Sequence, residues 1–155
     1  MHIRPTMLFV LLAAATVGAF AQFQPDSFLT DRNGLAIQGY DPVAYFTRNA
    51  AVKGDPAIVA EFLGVRFHFS SQEHRRLFSE DPDRYLPQYG GWCAWAASQN
   101  SLAVVDPTAF VVHDGKLYLN YSGFINLRFR ARLGHNIEQA DANWPALADE
   151  AARRR

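Results

Sequence analysis

One cysteine and one histidine hold most of the metal-binding potential of this chain. Cys93 is the only cysteine, and His74 lies on a predicted helix that precedes it. Thiolate and imidazole are donors that suit Cu(I) or Zn(II). Because the two residues occupy short predicted helices on either side of one loop, packing of those helices would bring them together. The pair therefore predicts a site for copper or zinc, with Cys93 and His74 as ligands.

Two other interpretations of this pair stay open. Cys93 stands among alanines, as a small buried side chain would, and His74 then fits a hydrogen-bonded histidine of the core. A nucleophilic cysteine–histidine pair would also need an orienting group and a pocket, and the sequence identifies neither. We therefore expect a protein that is not an enzyme and has no catalytic residues.

The remaining patterns exclude several classes of protein. No Ser-His-Asp arrangement, phosphate-binding glycine loop or Cys-x-x-Cys pair can be assembled, and Gly90-Gly91 predicts a sharp turn. The 15 basic and 15 acidic residues give a formal net charge of zero, so we expect no nucleic-acid partner.

The other histidines and the aromatic residues near the cysteine have plainer interpretations. His68, His113 and His135 are expected at the surface. Four aromatic residues near the cysteine predict a corner of the core or, alternatively, a shelf for a ligand: Tyr85, Tyr89, Trp92 and Trp95.

Two β-hairpins are predicted to form the frame that positions these residues. Residues 57–69 turn at Leu63-Gly64, and residues 109–121 turn at Asp114-Gly115. For the first hairpin the two-residue loop sets these opposed pairs: Phe62 with Val65, Glu61 with Arg66, Ala60 with Phe67 and Ile58 with Phe69. For the second it sets Phe110 opposite Leu119 and Val112 opposite Leu117. Short strands are also expected at 34–39 and 102–105.

Short helices are predicted to pack on these hairpins. Ser70 and Glu73 form a capping box that begins a helix ending near Glu80. Asp41 is expected as the N-cap of an earlier helix, with Pro42 at its first position. Further helices are expected at 92–98, at 122–133 and at 135–152, the last in one piece or in two pieces meeting near Trp144-Pro145. The 155 residues of the chain suffice to bury one core but hardly two. The expected fold is a small single α+β domain of two antiparallel β-hairpins with short helices packed on one core.

The N-terminus predicts export. A basic start with Arg4, an apolar run from Met7 and the sequence Ala19-Phe20-Ala21 are typical of a cleavable signal peptide at residues 1–21. The run is shorter than the roughly 20 residues that a spanning helix needs, so we expect no stable membrane anchor after cleavage. The predicted location is the periplasm, where a lone cysteine excludes an internal disulfide.

Three segments together resemble the stand-alone, exported YHS-domain proteins of bacteria. The first is Gly39-Tyr40-Asp41-Pro42-Val43-Ala44-Tyr45-Phe46, and the second runs from Phe67 through His74, Pro82 and Tyr85 to Tyr89-Gly90-Gly91-Trp92-Cys93-Ala94. The third is Asp114-Gly115-Lys116-Leu117-Tyr118-Leu119-Asn120-Tyr121. The resemblance covers roughly residues 34–148. Together with the N-terminal and C-terminal patterns, it divides the chain into a signal peptide (1–21), an N-terminal arm (22–33), a YHS-like domain (34–148) and a basic C-terminal tail (149–155).

The resemblance implies a treble-clef-like module that binds a metal, copper being a common suggestion. The chain departs from the version found on heavy-metal pumps, because the 70–74 stretch carries no cysteine. A site of four thiolates is therefore excluded, and Cys93 and His74 remain as donors. Two donors make a weak or shared site, which suits transfer of the ion to or from a metal-donor or membrane-complex protein. The alternative hypothesis is a structural or interaction module that binds no metal. It would contact a partner through the Trp92/Trp95 corner with Tyr89, or through the arginine-rich helix expected at 122–133.

Overall fold

The computed structural model describes residues 24–154 and shows an α+β fold. Two antiparallel hairpins pair β1 (Asp55–Phe62) with β2 (Val65–Phe69) and β3 (Asp106–His113) with β4 (Lys116–Asn120). The α-helices of the described residues are α1 (Ala44–Thr47), α2 (Gln72–Glu80), α3 (Pro82–Tyr85), α4 (Ala94–Ser98), α5 (Gly123–Ala131) and α6 (Leu133–Arg153). Short 3-10 turns lie at Pro25–Ser27, Ile37–Gly39 and Gln88–Gly91. The predicted fold class is confirmed.

The tight turns fix the register of both hairpins at their loop ends. Leu63 and Gly64 have φ values of 52° and 74°, and Asp114 and Gly115 have 48° and 70°, as a two-residue hairpin loop of type I′ requires. The pairs next to each loop form as predicted, from Phe62–Val65 outward in the first hairpin and from His113–Lys116 outward in the second.

The far end of the first hairpin departs from the prediction. Asp55, rather than Ile58, lies opposite Phe69, because the register shifts between Asp55 and Val59. Gly54 explains the shift: its N–H donates to the carbonyl of Gly39 at 2.9 Å, and a Cβ at this position would lie 2.5 Å from the backbone of His68. The start of β1 therefore lies close to the backbone of Gly39 and His68, and the regular pairing of β1 with β2 is interrupted between Asp55 and Val59.

The second hairpin lies between two buried clusters. Leu117 and Leu119 of β4 belong to one cluster, together with Phe67 and Phe78, which are on or beside the first hairpin. Val111 of β3 and Tyr118 of β4 belong to the other cluster, which α6 covers. The single core expected from chain length is therefore wrong for the described residues, since alternate side chains of one hairpin serve two clusters.

Other local predictions are corrected. Residues 34–39 contain a 3-10 turn, and residues 102–105 lie outside the strands, since β3 begins at Asp106. Ser71, rather than Ser70, caps α2, because its side chain accepts from the N–H of His74 at 3.1 Å. The C-terminal pattern forms one helix with Pro145 inside it. That helix continues to Arg153, so most of the expected basic tail is helical.

The N-terminal arm packs on the domain. Phe28 is buried in the first cluster, and the indole N–H of Trp92 donates to the carbonyl of Ser27 at 2.8 Å. The predicted signal peptide lies outside the described residues. Within them, we find no helix with the length and apolar character needed to cross a membrane.

Candidate functional site

Asp41 forms the centre of a buried polar group. Its side chain is 0% exposed. Oδ1 accepts from the backbone N–H groups of Val43, at 2.9 Å, and of Ala44, at 3.3 Å. Oδ2 accepts from the N–H and the hydroxyl of Ser70, at 2.8 and 2.6 Å, and lies 2.6 Å from Nδ1 of His74. Such a set of donors suits an ionised carboxylate, which only accepts.

His74 reaches Asp41 because only Ser70 and Ser71 separate the end of β2 from the start of α2. The Ser71 cap fixes the first turn of α2, and this places His74 on the inward face, where it is 7% exposed. Its Nε2 lies 3.2 Å from Oγ1 of Thr47, which is also 3.2 Å from the carbonyl of Val43. When Nδ1 carries a proton for Asp41, neutral His74 competes with the Val43 carbonyl for the one hydroxyl proton of Thr47. Protonated His74 instead donates to Thr47, whose hydroxyl then donates to Val43.

Sequence reasoning predicted His74 but missed Asp41 as a site residue. A carboxylate on one ring nitrogen fixes the tautomer and orientation of a histidine whose other nitrogen binds a metal. The only local signal for Asp41 was its position before Pro42, which indicates a cap. That signal accounts for the Oδ1 contacts and carries no information about Oδ2.

Cys93 occupies the N-cap position of α4. The residue is 1% exposed, and its Sγ accepts from the N–H of Ala96 at 3.5 Å and lies 3.7 Å from Oδ1 of Asn120. Burial raises the pKa of the thiol, against a smaller opposing effect of nearby backbone N–H groups. The described state is therefore a protonated and shielded thiol, which lacks the thiolate character of a reactive cysteine.

Asn120 links this thiol to the second hairpin and to α5. Its Oδ1 accepts from the N–H of Trp95 at 3.0 Å, and its Nδ2 donates to Oδ1 of Asn126 at 2.9 Å. Asn126 in turn donates to the carbonyl of Phe110 at 3.0 Å. Asn120 is 0% exposed, so this chain of hydrogen bonds satisfies a polar side chain that burial would otherwise penalise.

His74 and Cys93 lie in different hydrogen-bonded groups. His74 contacts Asp41 and Thr47, whereas Cys93 contacts Ala96 and Asn120, and no hydrogen bond joins the two candidates in residues 24–154. The same part of the chain holds no cluster of three or more His, Cys, Asp or Glu side chains arranged for a metal ion. The two-ligand site stays a prediction.

The other histidines of the described residues lie at or near the surface, and the tryptophans near Cys93 lie mostly in the core. His68 is half-buried on the outer face of β2, where burial and then the Arg66 charge lower its pKa. His113 and His135 are exposed or nearly so. Trp92 is buried, while Trp95 is partly buried between the two clusters, so the aromatic corner is largely core.

The arginine-rich helix expected at 122–133 as an alternative partner surface forms as α5, and a group of exposed apolar side chains lies there. Tyr121, Phe124 and Leu127 are 56%, 66% and 67% exposed. Arg128 lies beside them, with its guanidinium carbon 5.5 Å from the centre of the Phe124 ring. Their signal in the sequence was an arginine-rich helix with more apolar residues than one buried face needs.

Comparison of the chain with protein-family models, with curated proteins and with solved structures found no match.

Proposed function

We propose that this protein is a non-enzymatic periplasmic module of the YHS type that binds a soft transition metal ion, copper or zinc. His74 is the first donor in this proposal, and Cys93 is the second. A metal-donor or membrane-complex protein that exchanges the ion would complete the coordination, since two donors leave it unfilled.

The Asp41–His74 pair carries the proposal. The 2.6 Å contact between Oδ2 and Nδ1 holds the imidazole in one orientation and directs Nε2 away from the carboxylate. This is the arrangement that supports metal-ligating histidines in general. Among the described residues, Nε2 meets only the neutral hydroxyl of Thr47, a partner that a metal ion could replace.

Binding has a cost that sets its expected strength. Nε2 must leave Thr47, and the Cys93 thiol must lose a proton whose pKa is raised by burial. Because only the thiolate is a good ligand, affinity should be modest at neutral pH and should increase as the pH rises. A modest affinity is compatible with transfer of the ion to a partner.

A structural or interaction module that binds no metal is the second candidate. It is favoured by the internal hydrogen bonds of His74 and Cys93, which account for both residues as parts of the core. In that case the side chains exposed at α5, rather than the largely buried Trp92, would meet a partner.

Thermal unfolding with and without metal distinguishes the two candidates. The protein is melted with Cu(I) or Zn(II) under anaerobic, reducing conditions, as wild type and as His74→Gln and Cys93→Ser variants. Serine retains an oxygen to cap α4, so Cys93→Ser should fold. A ligand at about a hundred times its Kd stabilises the native state by roughly 2.7 kcal/mol. We expect this gain in the wild type but in neither His74→Gln nor Cys93→Ser.

His135→Gln is the matched control, because it removes an exposed histidine outside both polar groups. It should keep the metal-dependent gain. An unchanged melting temperature of the wild type with either metal, or an equal gain in His74→Gln and Cys93→Ser, would reject the metal proposal and leave the second candidate.

A further inference from the structure

Helix α5 presents apolar side chains to solvent as well as to the core. Phe129 is fully buried and Ile125 is half-buried, and these residues hold the helix on the second hairpin. Phe124 and Leu127 lie on the opposite face, where both are about two-thirds exposed. Helical spacing places Ala131, which is also exposed, on that same face. A helix with one buried face needs no second apolar face for folding.

The outer face of α5 is bordered by positive charge. Arg128, Arg130 and Arg132 are exposed, and residues 115–137 contain no aspartate or glutamate. The guanidinium of Arg128 lies near the Phe124 ring and 5.8 Å from the centre of the Trp95 ring. A chain of zero formal net charge therefore has a locally basic surface at α5, and the exposed apolar side chains lie on it.

We propose that this surface, formed by Tyr121, Phe124, Leu127, Arg128 and Arg130, docks reversibly on an anionic lipid bilayer. Aromatic and aliphatic side chains with flanking arginines are the features by which a helix lies in the interface between headgroups and acyl chains. Guanidinium groups bind the lipid phosphates, and Phe124 and Leu127 enter the apolar boundary.

Charge decides between this partner and a second copy of the chain. A symmetric contact through α5 would bring the arginines of two copies together, and like charges across an interface oppose association. An anionic bilayer instead offers negatively charged headgroups to the arginines and an apolar interior to the exposed side chains of α5. One short helix supplies limited contact, so the attachment is peripheral and depends on salt.

Vesicle flotation tests the proposal. The protein, as its source cell processes it, is mixed with vesicles of phosphatidylcholine alone or with added phosphatidylglycerol. We expect binding to the anionic vesicles that weakens as salt increases. The Phe124→Ser/Leu127→Ser and Arg128→Gln/Arg130→Gln variants should each reduce partitioning about tenfold or more. Val104→Ser and Arg75→Gln are the controls, because each removes an exposed residue of the same kind elsewhere.

A local probe separates insertion at α5 from binding elsewhere on the chain. The thiol of Cys93 is buried, so a cysteine introduced by Leu127→Cys can be labelled selectively with an environment-sensitive dye. Its emission should shift to the blue with anionic vesicles, whereas a dye placed by Gln72→Cys on α2 should not respond. Binding that the α5 variants leave unchanged, or no binding to anionic vesicles, would overturn the proposal. Loss of concentration-dependent self-association in the same variants, with no vesicle binding, would instead assign the surface to a second copy.

Discussion

The carboxylate of Asp41 connects three parts of the chain that are distant in sequence or differ in structure. Its first contact is with the turn at Val43, and its second is with Ser70, the residue that follows β2. Its third contact is with His74 on the inward face of α2. A fully buried charge is tolerated only where several donors surround it. Five hydrogen bonds provide that environment here.

Asp41→Asn should therefore destabilise the protein strongly. The amide has almost the same shape but carries no charge, and its NH2 group would face donors. We expect a loss of about 3 kcal/mol in the free energy of unfolding, measured by urea denaturation. Asp106→Asn is the control at an exposed carboxylate, and its effect should stay below about 1 kcal/mol. Equal effects of the two substitutions would contradict a central role for Asp41.

At the scale of single residues, the sequence predicts contacts between residues that are close along the chain but not contacts between distant residues. The Asp41-Pro42 pair predicts a cap, and Oδ1 does contact the next residues along the chain. The Oδ2 partners lie 29 and 33 positions away, at a separation where no spacing rule applies. Ser70 illustrates the same limit, because Asp41 takes its hydroxyl while Ser71 provides the helix cap.

Among the elements, the 3-10 turn Gln88–Gly91 approaches the N-terminal arm backbone to backbone. Gly90 has φ of +58°, and its carbonyl accepts from the N–H of Leu29 at 2.9 Å. A Cβ at Gly90 would lie 2.8 Å from the carbonyl oxygen of Ser27. The turn thus needs glycine both for its backbone angle and for the close approach of the arm.

Gly90→Ala and Gly115→Ala separate these two needs. Both glycines have positive φ, but a Cβ at Gly115 would meet no atom within 4 Å. Gly115→Ala should cost about 1 kcal/mol through backbone strain alone, and Gly90→Ala should cost about 2 kcal/mol or more because the arm must also move. Chemical denaturation measures both values. A Gly90→Ala cost no larger than that of Gly115→Ala would show that the arm yields freely.

The elements that the sequence predicts correctly are those specified by adjacent residues. Asp114-Gly115 defines its hairpin because only a few residue pairs adopt two consecutive positive φ angles. Residues 102–105 have the apolar composition of a strand, yet β3 begins at Asp106 and pairs with β4 from there. Composition indicates whether a segment is suited to a sheet, whereas the availability of a neighbouring strand depends on the whole fold.

At the scale of the molecule, the second hairpin makes the two buried clusters interdependent. Leu119 and Val111 extend to opposite sides of it, so both clusters lose buried contacts if the hairpin opens. Chain length suggested a single core because area scales with size, and that argument cannot show how the area is divided. The result is one domain with two apolar interiors.

We expect both clusters to unfold in one transition. Cys93 belongs to the first cluster, and Trp92 and Trp144 belong to the second. Reactivity of the thiol and tryptophan fluorescence should give the same midpoint in urea, as two-state unfolding requires. Exposure of the thiol at a clearly lower urea concentration than the change in fluorescence would show that the first cluster opens alone.

The attachment of the N-terminal arm also determines when the chain can complete its fold. Ser27 is held by Trp92, a residue 65 positions later, and the turn Pro25–Ser27 lies against α6 at the other end of the domain. During synthesis, the arm emerges before Trp92, and α6 emerges last. The arm therefore cannot dock fully until α6 has been synthesised. During that interval the arm remains accessible to chaperones and proteases.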